Sequence, residues 1–180
     1  MHLHNLIPCQ AKLLLYKTAI MPHLTYCHFF WNSCKSSDGR KVERIQERAL
    51  RAVFKTTTET YEELLNECAK LPTPHSRRLQ DIAILMYKVK NDLVPSYISE
   101  IFTQKSTRYN LRNSGFEIPR FNTIRYGRHT LRFQGPYIWS KLENRMRELP
   151  SLSIFKTNVR RVDLASLVED SGNCCNLCST

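Results

Sequence analysis

Glycine is scarce, with only five in 180 residues. That leaves no material for a Gly-rich phosphate loop, a Rossmann fingerprint or a collagen-like repeat. Aspartate is equally sparse. Asp38, Asp81, Asp92, Asp163 and Asp170 are isolated from one another, whereas a two-metal nucleotidyl-transfer site needs several carboxylates converging on ions about 4 Å apart. GxSxG, HExxH and P-loop patterns are absent, and Ser, His and Cys show no catalytic spacing. No apolar run approaches the roughly 18 residues that span a bilayer; the best, Leu13 to Met21, contains Lys17. No basic segment leads into a long apolar one at the N-terminus, so no secretory signal is visible. The expectation is a soluble intracellular protein, nuclear or cytoplasmic, with no membrane partner, no cofactor and no catalytic residues of its own.

Hydrophobic residues make up 42% of the chain and aromatics 10%, enough for a core and too many for wholesale disorder. The seven cysteines are odd in number and irregularly spaced, which argues against a disulfide scaffold. Cys9, Cys27 and Cys68 stand among apolar residues and read as small buried hydrophobes. His23 and Cys27, one helical turn apart with His28 and Cys34 nearby, read as core side chains of an apolar helix. Cys174, Cys175 and Cys178 contain a CxxC, but a closed zinc site needs four ligands. Zinc there would require a distant ligand or a second chain, and no metal is assigned.

Basic residues outnumber acidic ones by 27 to 16, giving a net charge of +11. Most of the excess falls in residues 101–150, which hold ten basic and three acidic side chains. A concentrated basic surface attracts polyanions, and without a basic amphipathic helix of broad apolar face nucleic acid is the better match than a membrane.

Periodicity predicts a mainly α fold. A helix is expected over 6–21, with Pro22 opening a second stretch to about Cys34. Ser36 to Gly39 form a break, with Asp38 as N-cap of a helix over about 39–55. Val42, Ile45, Ala49, Ala52 and Val53 make that helix's apolar stripe, and Arg44, Arg48, Arg51 and Lys55 a cationic stripe roughly 120° away. The stripe is either a solvated face with ion pairs such as Glu47–Arg51 or a ridge for a phosphate backbone. Thr60 to Glu63 fit a capping box opening a helix to about Ala69. Residues 76–91 are apolar almost all round, with Leu79, Ile82, Ala83, Met86 and Val89 on the main face, which belongs at the centre of a fold. A short helix is expected over 96–102. Residues 103–127 suit loop or short extended segments. A helix over 129–142 would be bent or restarted by Gly135-Pro136, and a last one runs from about 151 to 168.

In the basic segment, arginine directly precedes an aromatic at Arg108-Tyr109, Arg120-Phe121, Arg125-Tyr126 and Arg132-Phe133. In extended backbone, neighbours point to opposite faces. The rings could anchor inward while these guanidiniums, with Arg112 and Arg128, face out to phosphates; the opposite orientation would offer rings for base stacking. Ordinary loop solubility over core aromatics is the plain alternative.

The blocks LLLYKTAIMPHLTYCHFFW, KVERIQERALRAVF, RYGRHTLRFQGPYIWSKL and LPSLSIFKTNVRRV, in this order, resemble the region after the palm in non-LTR retrotransposon reverse transcriptases of the LINE-type, Jockey-like group. The resemblance covers nearly the whole chain. It implies a thumb-like helical domain over 1–102, a basic C-terminal module over 103–169 and a Cys-containing tail over 170–180. It makes Tyr16, Pro22, Tyr26 and Trp31 structural positions of the thumb-like helices. Gln46 and Arg48 would lie on the basic helix, and Gly135, Trp139, Leu149, Pro150 and Phe155 in the terminal module. The family's catalytic aspartates belong to the palm, which has no counterpart here, and neither has the endonuclease domain. Met1 begins within what reads as a continuing helical region, so a truncated reading frame is expected. The implied role is to grip an RNA or DNA duplex in company with palm and endonuclease domains; the alternative is a structural module that packs against the palm.

Overall fold

A computed structural model of the chain describes residues 7–31, 36–55, 58–105, 115–123 and 127–169. These residues are mainly helical and contain no strand. No helix among them is long and apolar enough to cross a membrane. They form two compact units. The first comprises Met1–His28 and Cys34–Arg77, the second Phe29–Ser33 and Arg78–Thr180. The division falls at 77/78, so residues 78–102 group with the basic segment that follows them.

In the first unit, α1 (Cys9–Leu15) continues through a π-helical segment (Tyr16–Ile20) into α2 (Met21–Thr25). Pro22 stands in the first turn of α2, as expected, but the chain reaches it without leaving the helix. Proline lacks the N–H for the ladder and crowds the carbonyl four residues back; the wider π turns immediately before it take up that misfit. The chain turns only at Tyr26, which is extended, and Cys27, whose φ of 53° is left-handed. α3 (His28–Trp31) follows. α4 (Ser36–Phe54) starts three residues earlier than expected. Asp38 therefore lies inside its first turn, where the carboxylate suits the helix dipole and accepts from Lys41 Nζ at 2.8 Å. The capping box forms in full: Thr60 Oγ1 accepts from the Glu63 N–H, and Glu63 Oε2 accepts from the Thr60 N–H at 2.8 Å. It opens α5 (Tyr61–Glu63), which runs on as a π-helical segment (Leu64–Ala69). Left-handed Lys70 ends it, and the Leu71 N–H returns to the Leu65 carbonyl. The core is Tyr16, Leu50, Val53, Leu65 and Ala69, with Leu13, Met21 and Tyr61 around it.

Two expectations about side chains fail in this unit. Cys9, Cys27 and Cys68 are exposed: the first begins a helix, the second sits in the left-handed turn and the third on the outer side of a π segment. His23 is also exposed, while His28 is buried. The buried face of α4 is Gln46, Leu50 and Val53; Ile45 and Ala52 face out.

The helix α6 (Pro74–Lys90) starts in the first unit and from Arg78 on organises the second. The Thr73 hydroxyl accepts from the Ser76 N–H at 3.1 Å, and Pro74 fills the first helical position, where a missing N–H costs nothing. Left-handed Asp92 closes the other end, the Leu93 N–H reaching the Lys88 carbonyl at 2.8 Å. Leu79, Ile82, Ala83, Met86 and Val89 are each at most 1% exposed, as a helix apolar nearly all round requires. α7 (Ser96–Ser99) leads to an isolated antiparallel bridge between Gln104 and Phe116. That bridge is all that the expected short extended segments amount to among the described residues.

A 3-10 turn (Gly127–His129) precedes α8 (Leu131–Lys141), which is unbroken despite Pro136. Its Gly135, Pro136, Ile138 and Trp139 are all buried, and that packing outweighs one lost backbone hydrogen bond. Gly135 is required by closeness: a Cβ there would lie 2.6 Å from Met86 Sδ and 2.8 Å from the Phe102 ring. α9 (Asn144–Arg147) and α10 (Leu152–Val159) follow, then α11 (Leu164–Glu169). The single last helix expected is thus two. Asp163 breaks it by accepting from the Ala165 N–H at 3.1 Å, a local bond that competes with helix continuation. Trp139, Phe116, Phe155 and Tyr87 form a contiguous aromatic set, with Tyr87 stacked on Phe155 at 4.4 Å and its hydroxyl donating to the Leu149 carbonyl at 2.6 Å.

Candidate nucleic-acid interface

The cationic stripe of α4 is better placed than its sequence suggested. Relative to the observed buried face of Gln46, Leu50 and Val53, the Arg44, Arg48 and Arg51 stripe lies roughly 160° away at 100° per residue. It points nearly straight out from the core of its unit. Arg44 to Arg51 span about 10 Å along the helix axis at 1.5 Å per residue. Arg44 and Arg48 are exposed and, among the described residues, make no side-chain ion pair. Arg51 differs: Nε and Nη2 both donate to Glu47 Oε1, at 3.0 and 2.9 Å. Lys55 stands just past the helix in left-handed backbone, φ 56°.

Glu47 and Glu43 lie on the flank of α4 that faces Tyr61. Burial first, and then these carboxylates and Tyr16, push the Tyr61 phenol well above its ordinary range. Burial also raises Tyr16 to about 12, opposed by the nearby Arg77 guanidinium. Both hydroxyls are buried and, among the described residues, have no hydrogen-bond partner. α4 therefore divides into a buried sector, an acidic flank and an arginine ridge.

The second unit carries Arg120, Arg128 and Arg132. Phe121 meets Phe133 edge-on at 4.9 Å, Phe133 stacks on Tyr137 at 5.7 Å, and Lys141 Nζ sits 5.6 Å from the Tyr137 ring centre. Gly127 closes against the back of Phe121, where an added Cβ would come within 2.8 Å of the Phe121 Cβ. This row pins the segment before Phe121 to the first turns of α8. Arg120 and Arg132, each beside one ring of the contact, are both exposed. Of the two orientations the sequence left open, neither is realised cleanly: Phe121 is 39% exposed, and Phe133, in the helix α8, is half-buried. Arg128 is half-buried beside His129, whose imidazole is held below its usual range by burial and then by Arg128 and Arg78. Arg108, Arg112 and Arg125, with their tyrosine neighbours, lie outside the described residues, as do Cys34, Cys174, Cys175 and Cys178.

Sequence reasoning missed Lys141, which extends the row by one helical turn and is visible only as the i+4 neighbour of Tyr137. It also missed Thr103 and Glu117, which with Pro119 and Arg132 line a cleft of about 100 Å³; no sequence spacing links them. Among the described residues, no group of three or more His, Cys, Asp or Glu side chains gathers as a metal site. No protein-family model, curated protein or solved structure matches the chain.

Proposed function

We propose that the chain is a nucleic-acid-binding module that grips an RNA or DNA duplex through its phosphates and performs no chemistry alone, the role implied by its resemblance to the post-palm segment of non-LTR reverse transcriptases. The observation that carries this reading is the orientation of the α4 ridge: two exposed arginines, without side-chain partners among the described residues, point directly away from a packed core. Arg120 and Arg132 add exposed cations in the other unit. Guanidiniums placed this way contact phosphate oxygens without reading base edges.

The test is binding of duplex DNA and RNA–DNA hybrid by fluorescence anisotropy across a salt series. Affinity falls linearly in log–log form, and Arg44→Glu with Arg48→Glu weakens binding alike for all sequences. Salt-independent or absent binding sinks the reading. With template, primer and nucleotides, no extension occurs; any product would make the chain an enzyme.

A second reading is favoured by one observation. Ile7, Leu14, Leu15 and Tyr26, on and beside the first helices, are 45%, 58% or more exposed, with Leu14 at 62% and Tyr26 at 73%. An exposed apolar set of this kind suits a protein partner such as a palm domain. If nucleic-acid binding is absent and Leu14→Ser with Leu15→Ser abolishes self-association, this reading replaces the first.

A further inference from the structure

The cleft lined by Ile101, Phe102, Thr103, Glu117, Pro119 and Arg132 has a construction that the phosphate reading does not use. Two of its walls come from the backbone bridge at Gln104 and Phe116. The Glu117 N–H donates to the Thr103 carbonyl at 2.8 Å, and the Lys105 N–H to the Gly115 carbonyl at 3.0 Å. On both arms a buried aromatic precedes an exposed polar residue: Phe102 and Phe116, each 5% exposed, meet edge-on at 6.2 Å, and Thr103 and Glu117 follow them. Alternation along extended backbone thus buries the rings and turns a hydroxyl and a carboxylate outward. Arg132, on the first turn of α8, supplies the third wall.

Among the described residues the Thr103, Glu117 and Arg132 side chains make no hydrogen bond or ion pair, although a carboxylate and a guanidinium share the cleft. The charges are therefore held apart. At about 100 Å³, the cleft is well below the roughly 300–1,000 Å³ of pockets that enclose a drug-sized ligand; it takes a fragment of one. That fragment must offer a donor to Glu117 and an anionic group to Arg132.

We propose that the cleft seats a ribose of a single-stranded RNA. The 2′-hydroxyl donates to the Glu117 carboxylate, with Thr103 as a second partner, and Arg132 holds an adjoining phosphate. DNA lacks the donor, so the Glu117 carboxylate is then left beside the backbone with no hydroxyl to accept from. This inference rests on the nucleic-acid reading above and adds a preference for RNA.

The test uses the full chain and one unstructured single strand prepared as RNA, as DNA and as 2′-O-methyl RNA, with anisotropy across a salt series and the three strands compared at each salt concentration. RNA binds about tenfold more tightly than either of the others, the size of one hydrogen bond to a charged group. Glu117→Ala brings RNA down toward the DNA level, and Arg132→Ala weakens both strands alike; circular dichroism confirms that both variants keep their helices. Equal binding of RNA and DNA, or a Glu117→Ala variant that keeps the RNA preference, overturns the proposal. Salt-dependent binding without RNA preference, or binding of the duplexes alone, sinks this inference and leaves the phosphate reading standing; no salt-dependent binding to these strands or to the duplexes sinks both.

Discussion

Gly135 decides how closely α8 can approach Met86 and Phe102 in the second unit. An added methyl would sit 2.6 Å from the Met86 sulfur and 2.8 Å from the Phe102 ring. Alanine gains roughly 1 kcal/mol in helix propensity, but overpacking a filled core costs about 1–3 kcal/mol. Met86 is fully buried and Phe102 nearly so, so neither has room to yield and the penalty wins. Gly135→Ala lowers the urea midpoint with an unchanged m-value. Tyr16 and Tyr61 make a second prediction. Their phenols ionise less readily folded than unfolded, so their contribution is intact below pH 10 and is lost as pH rises through Tyr16's value of about 12. Stability falls in that window by about 1.4 kcal/mol per pH unit for each such tyrosine. Tyr16→Phe with Tyr61→Phe flattens the alkaline limb. Near pH 7 the pair of substitutions is close to neutral, because each removed hydroxyl lacks a partner. Denaturation series at pH 8, 10 and 11 check both points.

At the scale of elements, the ends and interiors behave differently. The capping box at Thr60 and Glu63 was legible because its chemistry is local, four residues long and independent of what packs nearby. Thr60→Ala costs about 1 kcal/mol, read as a lower thermal midpoint; an unchanged midpoint would mean that α5 is held by its packing alone. Gly135-Pro136 shows the converse: a restart of the helix was among the expectations there, and α8 runs on without one. A proline's local penalty is about 3 kcal/mol, and at Pro136 it is offset by burial against residues far away in sequence. α4 shows the same division. Its helical period and its arginine stripe were legible, but of the face read as Val42, Ile45, Ala49, Ala52 and Val53 only Val53 is buried; Ile45 and Ala52 face out, and Gln46 and Leu50 take their place. Apolar character alone ranks Ile45 above Gln46, and only the neighbouring helices choose between them.

For the whole molecule, the charge of +11 predicts the form of the salt dependence and only bounds its size. Each phosphate contact contributes about 0.9 to the log–log slope on duplex DNA. Removing Arg44 and Arg48 together should lower the slope by about two, since among the described residues neither is engaged in an ion pair. Arg51→Ala should change it less, because Glu47 already holds that guanidinium; an equal loss would show that the Glu47 pair opens on binding.

The sequence by itself determined the mainly helical class, the capping box at Thr60, the central character of α6 in its unit and the arginine stripe of α4. Each of these is set by periodicity or by bonds spanning a few residues. The tertiary structure alone decided which side of α4 is buried, that α6 from Arg78 onward belongs with the basic segment, and that Thr103, Glu117 and Arg132 share one cleft. Those outcomes turn on contacts between residues far apart in sequence, and the local pattern of a chain carries no record of what will pack against it.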